Sequence, residues 1–178
     1  KDFDLNPAYE YLELVLNKSK TKKVHQICAS SAREINYFSK LYKNHNYSCS
    51  DISSEITNEI MLVYPSIISF PCNLVEIKDV ENLTMNHDII VAYGGLQYLQ
   101  PENLKKLFEI LARDKCELIL SQPFSIDLDP FTLQKSKYRD NFSWSHPYIK
   151  LALKYNFEIL RISSTGAQTI CAHIRSLV

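Results

Sequence analysis

The segment 88–99 constrains the fold of this chain more than any other, because it is typical of a buried strand that opens onto a glycine turn. An unbroken apolar run at 89–92 is followed closely by Gly94 and Gly95, two of the 3 glycines in the chain. A helix start with Pro101 in its first turn comes next. In open α/β sheets, ligands bind where strands end in such turns. The segment therefore predicts both a sheet architecture and the position of a binding site.

Strand-like and helix-like patterns alternate along the chain, which predicts a parallel sheet covered by helices on both faces. The predicted strands are 24–29, 47–50, 67–70, 89–92 and 117–120. Two closing strands, 157–162 and 169–174, are expected to pair antiparallel around the connection 163–166. The predicted helices are 7–17, 31–43, 53–63, 101–113 and 147–155. Ser31 and Glu34 fit a capping box at the start of the second helix, and a polar connection is expected before the fourth strand.

Four loops are predicted to meet at one edge of this sheet, because right-handed crossovers bring the C-terminal ends of parallel strands together. These loops are 28–32, 51–53, 72–74 and 93–98. The clustering follows from topology alone, and it makes this edge the candidate site.

Length, charge and cysteine content narrow the class of protein. The 178 residues suit one domain, 1–178, with an N-terminal helix and basic linker at 1–22 and a lid-like loop at 122–144. The net charge of +0 argues against nucleic-acid and anionic-membrane partners. No apolar run approaches the roughly 20 residues of a membrane span and no signal-peptide pattern is recognised, so a cytoplasmic location is expected. The 5 cysteines form no C-x-x-C pair and are expected to be buried free thiols.

The four loops, taken in this order, resemble those of the class I S-adenosylmethionine-dependent methyltransferases. The resemblance extends over 24–174 and is best at 47–53, 70–74 and 88–99. It implies a three-layer α/β/α Rossmann-like fold whose seven-stranded sheet is mostly parallel, with an antiparallel C-terminal strand. It also implies S-adenosylmethionine as the cofactor.

The resemblance assigns binding roles to side chains at the strand ends. Asp51 stands where the family has an acidic residue that binds the ribose hydroxyls, and Asn73 stands where a polar residue meets adenine. A carboxylate suits two vicinal hydroxyls, because each of its oxygens accepts hydrogen bonds. The alternative is that Asp51 only caps the helix that begins near Ser53. The implied cofactor-binding residues are Cys28, Ala29, Ser30, Asp51, Ile52, Asn73, Leu74 and Tyr93.

The first loop departs from the family pattern, which is an acidic residue followed by spaced glycines. Gln26 stands in place of the acidic residue, and Cys28, Ser30 and Ala32 stand in place of the glycines. All three are small, but each carries a Cβ atom that disfavours a positive φ. The segment is compatible with cofactor binding and also with a plain strand-to-helix turn. The second case gives an alternative function, a catalytically inactive methyltransferase-like binding or scaffold module.

Methyl transfer from a sulfonium is an in-line displacement that needs aligned reactants and, for some acceptors, removal of a proton. No metal is required. His146 is the candidate general base, because an imidazole with a pKa of about 6.5 suits proton abstraction at neutral pH; the alternative is a surface or helix-capping histidine. The candidate substrate-binding residues are Gln97, Tyr98, Trp144 and Tyr148, of which the three aromatic ones are also compatible with core packing.

The predicted function is methyl transfer to a small-molecule acceptor, such as a sugar or another hydroxylated compound. A Rossmann-type oxidoreductase is disfavoured, because no G-x-G-x-x-G follows the first strand. No nucleic-acid or membrane partner is expected, and the sequence indicates no particular oligomeric state.

Overall fold

A seven-stranded mixed sheet forms the centre of the molecule. The structure, a computed structural model, describes residues 6–165 and 168–177, so Gly166 of the predicted connection lies outside the described residues. The strands are β1 (Lys23–Ile27), β2 (Asn46–Asp51), β3 (Ile68–Pro71), β4 (Ile89–Tyr93), β5 (Glu117–Pro123), β6 (Lys137–Tyr138), β7 (Trp144–Ser145), β8 (Phe157–Thr165) and β9 (Thr169–Ser176). The helices are α1 (Pro7–Lys18), α2 (Arg33–Leu41), α3 (Ser54–Val63), α4 (Ile77–Asn86), α5 (Pro101–Arg113) and α6 (Tyr148–Lys154), and a 3-10 turn spans Gly95–Tyr98.

The strand order β3-β2-β1-β4-β5-β9-β8 confirms the predicted architecture. Strands β1 to β5 are parallel to their neighbours, whereas β9 is antiparallel to both β5 and β8. In the register of the sheet, Ile27 lies beside Ala92 and Asp51 lies beside Pro71. The loops after β1 to β4 therefore leave the sheet at the same edge.

Each face of the sheet carries its own hydrophobic core. On one face Leu12, Phe38 and Ile60 bring α1, α2 and α3 against the strands. On the other face α4, α5 and α6 contribute a second cluster that includes Phe108 and Leu151. Because both faces are covered, an open site has to lie at an edge of the sheet.

Helix α4 occupies the connection before β4, where the sequence pattern did not predict a helix. Its buried residues, Val80, Leu83 and Thr84, lie three and four positions apart on one face. Most of its other residues are polar, and the side chain of its N-cap residue, Glu76, makes no capping hydrogen bond. Such a narrow apolar stripe without a cap is a weak sequence signal.

The predicted capping box at Ser31 is wrong. The N-cap of α2 is Ala32, in the left-handed conformation, and no side chain caps the helix there. Glu34 accepts instead from the Gln26 side-chain amide at 3.2 Å, and Gln26 Oε1 accepts the Ile35 N–H at 3.0 Å. A side chain from the preceding strand thus satisfies one of the free N–H groups of the helix start.

A chain of hydrogen-bonded polar side chains joins β1 and β2 to the end of α4, and all of its members except the partly exposed His87 are buried. Ser48 Oγ lies 2.7 Å from His25 Nδ1 and 2.9 Å from His87 Nε2, and His25 Nε2 lies 2.8 Å from Ser50 Oγ. His87 Nδ1 donates to the carbonyl oxygen of Leu83 at 2.7 Å. Because a carbonyl oxygen only accepts, Nδ1 of His87 carries the hydrogen and its Nε2 accepts from Ser48. Ser48 Oγ then accepts from Nδ1 of His25, and Nε2 of His25 accepts from Ser50. Both imidazoles are therefore satisfied in their neutral form. Burial lowers the pKa of both histidines.

No helix within 6–165 and 168–177 is long and apolar enough to cross a membrane. In the same residues, no group of three or more His, Cys, Asp or Glu side chains is arranged to hold a metal ion. All 5 cysteines are free thiols, and four of them are buried, as predicted, while Cys28 is partly exposed.

Candidate functional site

A cavity of about 540 Å³ opens at the edge of the sheet where β1, β2, β3 and β4 end. The predicted site residues that it brings together are Cys28, Ser30, Asp51, Ile52, Asn73, Leu74, Tyr93, Gln97 and Tyr98. The other lining residues had no predicted role: Cys72, Gly94 and Gly95 lie in the predicted loops, and Val75 and Leu99 follow directly after them. All four loops contribute to one space, whose volume is usual for a small-molecule site.

The loop after β1 has the backbone of a glycine-rich loop although it contains no glycine. Cys28, Ser30 and Ala32 have φ angles of 51°, 49° and 51°, in the left-handed region that residues with a Cβ rarely adopt. Each such residue costs roughly 1–2 kcal/mol relative to a right-handed conformation. They are the three positions at which the resemblance places glycines. Strain of this kind persists only where the surrounding structure imposes it, and it clusters at binding sites.

Asp51 links the first loop of the cavity to the second. Its Oδ2 accepts the N–H of Ser30 at 3.0 Å, and its Oδ1 accepts the N–H of Ser53 at 3.3 Å. The side chain therefore contacts the start of α3 and lines the cavity at the same time. Each carboxylate oxygen keeps a further lone pair for another donor, so capping and binding of a hydroxyl are compatible roles.

Asn73 is positioned in the third loop by the first turn of α4. Its N–H donates to Asp79 Oδ2 at 2.9 Å, and its Oδ1 accepts the N–H of Val75 at 3.1 Å. Its side-chain NH₂ makes no hydrogen bond within the described residues. Because Asn73 lines the cavity, that group is available to donate to a ring nitrogen of a bound heterocycle.

Two thiols line the cavity. Burial raises the pKa of Cys28 to about 12, and the nearby charge of Asp51 adds to the effect. Burial likewise raises the pKa of Cys72 to about 11. Both thiols are protonated at neutral pH, so they contribute packing and weak hydrogen bonding rather than nucleophilic chemistry.

The hydroxyl of Tyr93 is buried and has no hydrogen-bond partner among the described residues. Burial raises its pKa well above 10, so the group is a neutral donor. Its ring packs edge-on against Tyr9 of α1, with centroids 5.1 Å apart. An unsatisfied buried hydroxyl costs about 1–3 kcal/mol, and Tyr93 is itself one of the residues that line the cavity.

Glu34 places a carboxylate beside the position where the family has one. Gln26 occupies that position and donates to Glu34 Oε2. Burial chiefly raises the pKa of Tyr93, and the charge of Glu34 adds to the effect, so this carboxylate acts on the wall of the cavity. The negative charge that β1 lacks is therefore supplied by Glu34, in the first turn of α2.

His146 lies outside the lining of the cavity. Its side chain is 1% exposed, its Nε2 is 3.1 Å from the carbonyl oxygen of Leu99, and its Nδ1 is 2.8 Å from Ser136 Oγ. Because the carbonyl only accepts, Nε2 carries the hydrogen and Nδ1 accepts from Ser136. Burial lowers the pKa of His146 to about 4. The residue contacts the cavity through Leu99.

Three further predicted residues do not line the cavity. Ala29 is buried, and its N–H donates to the carbonyl oxygen of Ser50 at 2.9 Å. Trp144 packs edge-on against Tyr138 across the β6–β7 ribbon. Tyr148 is 1% exposed, and its hydroxyl has no hydrogen-bond partner among the described residues.

Arg139 reaches the site from the lid-like segment 122–144, although it was not predicted to do so. Its Nη1 donates to Gln97 Oε1 at 3.1 Å. Lys135, Lys137 and Asp140 surround it in the sequence, so no local pattern distinguishes it from solvated charges. The missed lining residues Cys72, Val75 and Leu99, in contrast, adjoin predicted ones.

Comparison with solved structures identifies the architecture. A TehB-like S-adenosylmethionine-dependent methyltransferase from Corynebacterium glutamicum matches over 97% of this chain and 88% of its own, with a TM-score of 0.64 and 12% identity. An S-adenosylmethionine-dependent methyltransferase from Mesorhizobium loti matches over 94% and 97%, with a TM-score of 0.67 and 11% identity. The chain has the class I methyltransferase fold.

The methyltransferase fold recurs in an enzyme solved with its ligands. The 1,6-didemethyltoxoflavin-N1-methyltransferase of Burkholderia thailandensis, with bound 1,6-didemethyltoxoflavin and S-adenosylhomocysteine, matches over 96% of this chain and 76% of its own. The TM-score is 0.68 and the identity 15%. No protein-family model matches the sequence. No curated protein matches it either. At such identities the likeness is one of methyltransferase fold.

Proposed function

We propose that this chain binds S-adenosylmethionine in the cavity and transfers its methyl group to a small hydroxylated acceptor. The observation that carries the proposal is the left-handed backbone of Cys28, Ser30 and Ala32. A plain strand-to-helix turn does not need three strained residues, whereas close approach of a ligand to the backbone is a recognised reason for such a conformation. The loop thus keeps the shape that glycines provide in the family.

The side chains of the cavity suit the parts of this cofactor. The Asp51 carboxylate has free lone pairs for the two ribose hydroxyls, and the Asn73 amide can donate to the adenine ring. Ile52 and Leu74 supply apolar contacts for that ring. The hydroxyl of Tyr93 lacks a partner and can donate to the methionine part. The acceptor would bind beside Gln97 and Tyr98, with Trp144 and Tyr148 supporting the wall behind them.

His146 remains the proposed general base for a hydroxyl acceptor. Its Nδ1 would take the proton, because that nitrogen carries no hydrogen and accepts from Ser136. We expect His146→Gln to lower kcat while the Kd for cofactor stays unchanged. The pKa of about 4 predicts a rate that is flat above about pH 5. Unchanged turnover in this variant would reject the role of general base.

A catalytically inactive binding module is the second candidate. The lining residues include no histidine or lysine, and the two lining thiols are protonated at neutral pH. These observations favour ligand binding without proton abstraction. Turnover measured with methyl-labelled cofactor over a panel of hydroxylated acceptors distinguishes the two candidates. An enzyme transfers the label to an acceptor and releases S-adenosylhomocysteine, whereas a binding module labels no acceptor.

Calorimetry with S-adenosylmethionine and S-adenosylhomocysteine tests the binding step. Wild-type binding weaker than about 1 mM contradicts the proposal, since substrate constants of enzymes rarely exceed that value. We expect Asp51→Asn to weaken binding at least tenfold, because charge-assisted hydrogen bonds to the ribose are lost. Asp88→Asn is the matched control: Asp88 also accepts a backbone N–H, from Lys23 at 2.8 Å, but at the opposite edge of the sheet. Equal affinities for these variants would exclude the ribose role.

A further inference from the structure

Arg139 holds a positive charge next to Gln97, a residue of the loop after β4 that lines the cavity. It follows directly after β6, and its Nη1 donates to Gln97 Oε1 at 3.1 Å. Gln97 lines the cavity together with Tyr98. Arg139 is partly buried rather than extended into solvent.

No carboxylate within the described residues forms an ion pair with Arg139. The other arginines of the chain differ from it: Arg113 and Arg175 pair with carboxylates, and Arg33 and Arg161 are exposed. Removing a charge from water is costly unless the charge is paired. A partly buried guanidinium whose partner is one neutral amide therefore lacks a counter-charge.

A second polar group beside this place also lacks a partner. Tyr148 is 1% exposed, and its hydroxyl makes no hydrogen bond to any described residue. Burial raises the pKa of Tyr148, and the positive charge of Arg139 acts against that rise, so the hydroxyl lies within the field of the guanidinium.

We propose that Arg139 and Gln97 bind an anionic group of the methyl acceptor, either a carboxylate or a phosphate monoester. A guanidinium presents its N–H groups in a planar fork that matches two oxygens of such a group. Gln97 orients the fork through Nη1, and Nε and Nη2 make no hydrogen bond within the described residues. This inference rests on the proposed methyltransferase function, and it restricts the acceptor to molecules that carry an anion beside the methylated atom.

The competing interpretation is that Arg139 only clamps the segment 122–144 against the 3-10 turn. A clamp of that kind needs one hydrogen bond to Gln97 and no positive charge. Arg139→Gln keeps a side-chain donor without the charge, and Arg139→Lys keeps the charge without the planar fork. The two variants therefore separate binding of an anion from attachment of the segment.

Ligand titrations with pairs of compounds that differ in charge test the proposal. The carboxylate arm compares salicylate with salicylamide and lactate with lactamide, and the phosphate arm compares phenyl phosphate with phenol. Each pair is titrated into the whole chain with and without S-adenosylhomocysteine. We expect wild-type protein to bind the anion at least tenfold more tightly than its neutral partner in at least one pair. The arm that shows the preference identifies the anion.

The variants decide the outcome. We expect Arg139→Gln to abolish the preference, Arg139→Lys to retain part of it, and Arg175→Gln, which changes an exposed surface arginine, to leave it intact. A wild type that shows no preference in any pair, or a preference that survives in Arg139→Gln, overturns the inference. The Kd for S-adenosylhomocysteine is measured separately in every variant. Failure of the wild type to bind it contradicts the proposed function, while the anion preference without cofactor still decides this inference.

Discussion

Cys28 occupies the space that a side chain at position 95 would need. A Cβ atom built on Gly95 would lie far inside van der Waals contact of both Cβ and Sγ of Cys28. The first and fourth loops of the cavity therefore pack directly on each other. A cysteine in the first loop is accommodated because the fourth loop has a glycine opposite it.

We expect Gly95→Ala to destabilise the protein by about 1–3 kcal/mol, as overpacking of a filled site does. It should also weaken cofactor binding, because the first loop has to move away. Cys28→Gly removes both atoms that the new methyl group would meet, so the double variant Cys28→Gly/Gly95→Ala should recover most of the loss. Urea unfolding and calorimetry measure the two effects.

Gly94→Ala is the control for this pair. Gly94 has φ of 83° and nothing within 4 Å of its added Cβ, so the cost of this substitution is backbone strain alone. Cys28→Gly relieves the backbone strain at position 28 in either background, so it should rescue Gly94→Ala less than it rescues Gly95→Ala. Equal rescue of both alanine variants would show that the contact with Cys28 is irrelevant.

Glu34→Gln should weaken the binding of S-adenosylmethionine several-fold and leave that of S-adenosylhomocysteine nearly unchanged. The first carries a positive sulfonium and the second is neutral, so a carboxylate acting through space distinguishes them. The amide oxygen of the substituted side chain can still accept the hydrogen bond from Gln26. Calorimetry at low salt is the measurement, with the exposed Glu102→Gln as control. Equal losses for both ligands would indicate a purely structural role.

Burial of neutral His146 should make the protein less stable in acid. Its pKa is about 4 in the folded state and about 6.5 in an unfolded chain. Between these values the unfolded chain binds a proton that the folded one does not, so stability falls as pH drops from about 6.5 to 4. The contribution is about 3 kcal/mol. Urea unfolding of His146→Gln should show a shallower pH dependence than the wild type; identical slopes would contradict the assignment.

Ser48→Ala should destabilise the protein by about 1–3 kcal/mol at neutral pH, because it leaves a nitrogen of buried His25 without a partner and removes the partner of one nitrogen of the partly exposed His87. Ser69→Ala is the matched control on the neighbouring strand. Its hydroxyl has only a weak contact, 3.5 Å from Cys49 Sγ. Thermal unfolding of the two variants should therefore differ clearly, and similar melting temperatures would argue against the histidine chain as a stabilising element.

The fold was predictable because apolar runs and the loops that follow them determine the order of strands and helices, and both are visible in the sequence. Asp51, Asn73 and Gly94 follow short strands, so parallel topology alone brings them together. Helix α4 was not predictable, because its buried stripe is narrow and its polar residues hide it. The histidine chain was missed for a different reason: His25 lies within an apolar strand pattern, and its hydrogen-bond partners lie on the neighbouring strand β2.

The candidate site was less predictable than the fold, because its details depend on tertiary contacts. Ser31 and Glu34 match a capping box in sequence. In the structure, however, the left-handed Ala32 is the N-cap, and the Glu34 side chain accepts a hydrogen bond from Gln26. Arg139 donates to Gln97, which lies 42 positions earlier in the sequence. No local sequence pattern predicts a contact over that separation. The partners of a buried histidine such as His146 are equally invisible until the chain has folded.

The left-handed conformations of Cys28, Ser30 and Ala32 make the evolutionary route between this loop and a glycine-rich one asymmetric. Replacing any of the three by glycine relieves backbone strain, so that step is open at any time. The reverse step adds strain at each position and is tolerated only in a chain with stability to spare. A chain with residues other than glycine at all three positions keeps the backbone conformation of the loop. It lacks, however, the glycines by which a sequence comparison recognises such a loop.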